Sequence, residues 1–219
     1  MKKNIIIILV LLFLAIFISG CISILPTLEE EPITPGKGRL KIYLTDSSGD
    51  YKAGGDENYS AVYITISRIE AHVAGDDEGN EGYWIVLKEW LSGEEPTFDL
   101  IELKDKSILL SEEELTPGKY TQIRIFITKS YILVEKEGET ESEDIKEIEV
   151  ANEIDFETFD VEIPSVYQTG LKLIHPFEII KGKITELTID FDAEKSIVKT
   201  GKGNYKLKPV IKVITIPAA

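Results

Sequence analysis

From Gly38 onward, apolar residues recur at every second position, and that period limits the chain to β-structure. In "RLKIYLT", Leu40, Ile42 and Leu44 point one way while Arg39, Lys41 and Tyr43 point the other. "YTQIRIFIT" gives a row of Ile123, Ile125 and Ile127 opposite Gln122 and Arg124. "FDVEIP" alternates Phe159, Val161 and Ile163 with Asp160 and Glu162. "TELTIDF" buries Leu187, Ile189 and Phe191; "YKLKPVIKV" buries Leu207, Ile211 and Val213. Further strands are expected near 83–90, 98–103, 130–136, 145–150 and 170–180. Turn residues separate these runs at 75–82, 116–119, 136–139 and 200–204. "SEEEL" at 111–115 reads as one helical turn capped by Ser111, with Glu114 three residues on. Many short strands with regular turns predict an all-β fold, an antiparallel β-sandwich over residues 38–217.

One run changes parity. In "AVYITISRIEAHV", Val62, Ile64 and Ile66 share one face, whereas Ile69, Ala71 and Val73 share the other. A strand that serves one core needs an extra residue between the two sets, so a bulge is expected near Ser67–Arg68.

The N-terminus is different. Lys2 and Lys3 precede an uninterrupted apolar stretch from Ile5 to Ile18, then Ser19, Gly20 and Cys21, the single cysteine. That order predicts a signal peptide or signal anchor over 1–20. Lipidation of Cys21 would tether the chain to a membrane; an uncleaved anchor is the alternative, and both place the rest on the extracytoplasmic side. Residues 21–37, with the Pro- and Glu-rich "EEEPITPGK", read as a flexible linker. With one cysteine, a disulfide within the domain is impossible, so its core must stabilise it.

The 219 residues carry a formal charge of −15. That charge disfavours nucleic acid and anionic membrane surfaces as partners of the domain. Glutamine occurs only at Gln122 and Gln168, while Glu, Lys and Ile are abundant, a bias that fits a heat-adapted organism.

Residues for chemistry are scarce. His72 and His175 are the only histidines, too few with one cysteine for an ordinary zinc site, and no metal or other cofactor is expected. No G-x-S-x-G surrounds any serine. Asp46, Asp50, Asp56 and Glu57 in one loop, and Asp76, Asp77, Glu78 and Asn80 in another, offer weak calcium ligands, but neither loop follows the D-x-[DN]-x-[DN]-G pattern. A solvated turn is the simpler reading. Asn58, in "NYS", is a glycosylation sequon. Tyr83, Trp84 and Trp90 would stack on sugars if exposed; burial in the core is expected.

Asp190 and Asp192 are two apart, so on a strand they share a face about 6.6 Å apart. A hairpin around "TGKGN" that buries the odd-numbered rows sets Lys212 opposite either Asp190 or Asp192. The pair is therefore read as structural acids.

Several stretches together, "LTDSSGDY", "YSAVYITISRIEAH", "GKYTQIRIFI", "IPSVYQTGLKLIHPFEI" and "TELTIDFDAEKSIVKTGKGNYKLKPVIKV", resemble the domain of unknown function 4382 family. The resemblance covers most of 38–215 and departs at "SSGDYKAGGDEN" and around 138–155. It implies an exported archaeal or bacterial protein, often behind a lipobox, with a transthyretin-like or immunoglobulin-like sandwich. It implies no catalytic residue. The expected function is a non-enzymatic, membrane-tethered module for binding or envelope structure, its protein or carbohydrate ligand unnamed. The alternative is an extracytoplasmic hydrolase or a Ca- or solute-binding domain.

Overall fold

A computed structural model describes residues 30–46, 59–76, 79–136, 156–167 and 169–216. The described strands, in chain order, are β1 (Gly38–Thr45), β2 (Tyr59–Val73), β3 (Tyr83–Glu89), β4 (Thr97–Asp99), β5 (Ser107–Leu115) and β6 (Gly118–Glu135). They continue with β7 (Phe156–Glu162), β8 (Leu171–Ile179), β9 (Ile184–Phe191), β10 (Ile197–Lys199), β11 (Tyr205–Leu207) and β12 (Ile211–Ile216). One helical turn, α1 (Ala193–Ser196), and two 3-10 turns, Ile101–Leu103 and Ser165–Tyr167, complete the described elements.

The strands form two sheets, as alternation requires. The smaller runs β12-β9-β1-β5. The larger runs β10-β11-β7-β6-β2-β3, with β4 added to β2 and β8 to β6. Inner rows from both sheets meet in one core: Leu40, Ile42, Leu44, Leu187, Ile189 and Phe191 from the smaller, Ile64, Ile66, Ile69, Ile123, Ile125 and Ile132 from the larger. The described residues from Ile33 onward form one compact unit.

The all-β sandwich is thus the fold, but its sheets are mixed rather than purely antiparallel. β1 lies parallel to β9, and β11 parallel to β7. Alternation fixes which face a residue takes and is silent on strand direction.

The parity change in β2 is a bulge. Ile66 sits opposite Ile127 and Arg68 opposite Phe126, which leaves Ser67 as the extra residue. Ile64 and Ile66 before it and Ile69 and Ala71 after it are all buried. The bulge also divides the sheet. Beyond the β2–β6 pair, β4 and β7 flank one half, and β3 and β8 flank the other.

Three expectations change. "SEEEL" is the end of β5, not a helical turn, because Glu112 and Glu114 pair with β1, opposite Lys41 and Arg39. The run at 98–103 splits into β4 and a 3-10 turn. Residues 130–135 are the last third of the long β6 rather than a separate strand. The run at 145–150 lies outside the described residues.

The hairpin around "TGKGN" is split between sheets. Its tip, β10 and β11, joins the larger sheet, while its legs, β9 and β12, pair in the smaller one. Ser196 fastens the joint: its carbonyl accepts from Lys208 N at 2.8 Å, and its hydroxyl from Val210 N at 2.9 Å.

Candidate functional site: a cleft at the mouth of the sandwich

Strands β3 and β5 are neighbouring edges of the two sheets, and a cleft of about 240 Å³ opens beside them. Val73, Ile85, Leu115 and Pro117 supply apolar wall; Tyr83 and Tyr120 supply rings; Lys37, Glu114 and Thr116 supply polar groups. Such an apolar concavity with a few convergent polar groups is the usual form of a small-ligand site. Tyr83 opens β3 and is 60% exposed, so its ring is available to a ligand. Tyr120, early in β6, is buried, stacks on Phe177 at 5.2 Å between centroids, and donates its hydroxyl to the Thr116 carbonyl at 2.9 Å.

The polar groups are oriented. Lys37 Nζ donates to Thr116 Oγ1 at 3.1 Å. Glu114 Oε1 accepts from Thr34 N at 2.9 Å and from Arg39 Nη2 at 3.2 Å. The hydrogen bonds from Thr34, with the Arg39 guanidinium behind them, hold the Glu114 carboxyl below its ordinary range. Burial, reinforced by nearby Tyr83, pushes the Tyr120 phenol up. At neutral pH the cleft therefore presents a carboxylate and a protonated phenol.

The outer face of the larger sheet carries a second organised cluster. Glu70, only 7% exposed, is shared by Arg68 Nε at 3.1 Å and Arg124 Nη1 at 3.2 Å. Each guanidinium lies over an aromatic ring, Arg68 over Phe126 at 4.0 Å and Arg124 over Trp84 at 3.7 Å. His72 stands edge-on to Trp84 at 5.0 Å, and its Nδ1 is 2.8 Å from Thr121 Oγ1. Further along, Tyr63 stacks on Tyr131 at 4.6 Å.

The residues singled out in the sequence are scattered. Asp190 sits opposite Lys212. Asp192 instead caps α1, where its carboxylate accepts from Lys195 N at 2.9 Å and pairs with Lys195 Nζ. Asp46 is fully buried, and its Oδ2 accepts from Ala193 N at 3.2 Å. Asp76 closes its own turn, accepting from Asn80 N at 3.1 Å and Asn80 Nδ2 at 2.7 Å. His175 Nε2 pairs with Thr215 Oγ1, far along the chain from His72. Among the described residues, no three of His, Cys, Asp and Glu are grouped to hold a metal ion. Cys21, Asp50, Asp77 and Asn58 lie outside the described residues.

The aromatic trio expected in the core divides. Tyr83 is exposed and Trp84 half-buried, because both lie on the edge strand β3, whereas Trp90, just after that strand, is half-buried and packs against the core. Lys37 and Tyr120 were not singled out by sequence, and Glu114 only as part of the capping pattern in "SEEEL": each lies at or beside a strand end, and only the pairing of β1 with β5 and the turn into β6 bring them together.

No curated protein sequence and no solved structure matches the chain. Residues 37–209 match the model of a family described as Domain of unknown function (DUF4382). The match spans β1 to the approach to β12, most of the sandwich, and the chain therefore belongs to the DUF4382 family.

Proposed function

We propose that this protein is a membrane-tethered, extracytoplasmic binding module that holds a small ligand, or one group of a larger one, in the cleft between β3 and β5. The observation that carries this reading is the pairing of the exposed Tyr83 ring with the oriented Lys37 and Glu114 groups around an apolar floor. Binding is favoured over catalysis by the electrostatics. A general acid or base works best with a pKa near the operating pH. Here Glu114 is moved down and Tyr120 up, both away from neutrality. The tether rests on the leader and on Cys21, whose position after Ser19 and Gly20 suits lipid attachment.

Native mass spectrometry of the protein, extracted in mild detergent from its own membranes, tests the reading. A bound species that is lost on denaturation, and missing from the Leu115→Lys variant, is the expected result. Identical native and denatured masses would contradict it.

A further inference from the structure

We infer that the outer face of the larger sheet carries a binding site for a carboxylated sugar, in which Arg124 and Lys172 take the carboxylate and Gln122 and Ile174 take the ring. This site lies on the face of β3 opposite to the cleft, and stands or falls independently of it.

The register builds the site. Across β2, β6 and β8, one row of the outer face reads Glu70, Arg124, Lys172. The next row reads His72, Gln122, Ile174. Residues directly opposite each other share a face, and like charges in that position are destabilising. Arg124 and Lys172 are such a pair. The arrangement is the more notable in a chain with 24 basic and 39 acidic residues, where acids are plentiful. Among the described residues, Lys172 has no acidic partner, and it is exposed. The carboxylate nearest Arg124, Glu70, is already divided between two guanidiniums. Arg68 and its second partner, Glu89 at 3.5 Å, leave the cluster with three cations against two carboxylates. An incoming carboxylate relieves that imbalance.

Arg124 is also preorganised. Its guanidinium rests on the Trp84 ring at 3.7 Å. Its stem runs under Gly170, where a Cβ would come within 2.4 Å of Cγ. Its Nε is buried without a hydrogen-bond partner among the described residues. A guanidinium fixed in this way loses little entropy on binding, and its planar fork matches a carboxylate.

The remaining chemistry selects a sugar. Ile174 is 82% exposed, beside the cations, and offers an apolar spot to the C–H face of a ring. Gln122 adds an amide that both donates and accepts. The four strands beneath, β3, β2, β6 and β8, are hydrogen-bonded to one another, so an extended peptide cannot add to this face as a strand. Recognition must come from side chains alone. A pyranose with a carboxylate presents an apolar face, hydroxyls and a charge within one ring, the set that these residues complement.

The test is titration of the full chain in detergent, followed by tryptophan fluorescence. The probes are a de-esterified oligogalacturonate, its methyl ester, and a polyglutamate peptide of matched charge. Saturable binding of the acidic sugar is expected, with little response to the ester or the peptide. Lys172→Gln, an exposed change that leaves the core intact, should weaken that binding about tenfold, the weight of one hydrogen bond to a charged group. Ile174→Ser should weaken it as well, and Lys208→Gln should leave it unchanged. Failure of the acidic sugar to bind, equal affinity in Lys172→Gln, or a peptide that binds as tightly as the sugar would each overturn the assignment.

Discussion

The Asp46 carboxylate accepts a hydrogen bond from the backbone of Ala193, 147 residues away, at 3.2 Å. That bond ties the end of β1 to the first turn of α1, the joint at which the chain leaves the smaller sheet for the larger. Asp46 is fully buried, so its loss would leave the buried Ala193 N–H without this partner. Asp46→Ala should cost about 1–3 kcal/mol. Asp46→Asn, which keeps an acceptor oxygen, should cost less. Urea melts of both variants check the order.

The Ser67 bulge keeps both halves of β2 in one core. Deleting Ser67 slips every later residue of the strand by one, and turns Ile69 and Ala71 outward. Loss of cooperative unfolding in thermal melts is the expected outcome. Ser67→Ala keeps the residue count, and the hydroxyl it removes is 3.5 Å from the Phe126 carbonyl, a marginal contact. That variant should stay within about 0.5 kcal/mol of the parent.

Adjacent glutamates on β5 should titrate in opposite directions. Glu113 sits opposite the buried Leu40, and burial raises its carboxyl above the ordinary range. Glu114 sits opposite Arg39, and hydrogen bonds from Thr34, then Arg39, lower it. The folded pKa of Glu114 lies below its unfolded value. Its contribution to stability is therefore present above the unfolded pKa of about 4.3 and is lost as pH falls through the folded one. For Glu113 the sign is reversed: protonation favours the fold as pH falls through the raised value. Side-chain carboxyl shifts followed by NMR should give a higher midpoint for Glu113 than for Glu114.

Gly170 holds a φ of +87°, and a Cβ there would lie 2.5 Å from Arg124 Cδ. Gly170→Ala meets both problems, backbone strain and displacement of Arg124 from Trp84, and should cost about 1–3 kcal/mol. A lower urea midpoint together with a changed near-UV tryptophan band is the expected signature.

The fold was legible where one face of a strand is buried. The rows of β1 and β9, and Ile123, Ile125 and Ile127 in β6, follow directly from alternation, and the slip at Ser67 from its interruption; the matching slip in β6, which buries Ser130 and Ile132 after Ile127, was not read. Strand direction was not legible, because parallel and antiparallel partners bury the same faces; β1 beside β9 is the instance. Nor was β5, whose acidic run carries a local capping pattern that pairing with Arg39 and Lys41 overrides. The cleft was hidden for a related reason. Tyr83, Glu114 and Tyr120 belong to three strands, and no sequence spacing records that two sheet edges meet. The Lys212 register illustrates both limits: parity left Asp190 and Asp192 open, and the helical turn at Ala193–Ser196 decides between them by taking Asp192 as its cap.

Ligand capture at the cleft is tested most directly by site-specific photocrosslinking in intact cells. Benzoylphenylalanine replaces Tyr83, on the cleft, in one strain and Leu91, 71% exposed and outside it, in another. Binding at the cleft predicts one discrete adduct from position 83, missing at position 91 and lost when Leu115→Lys is added. No adduct at position 83, or the same products from both positions, would contradict it.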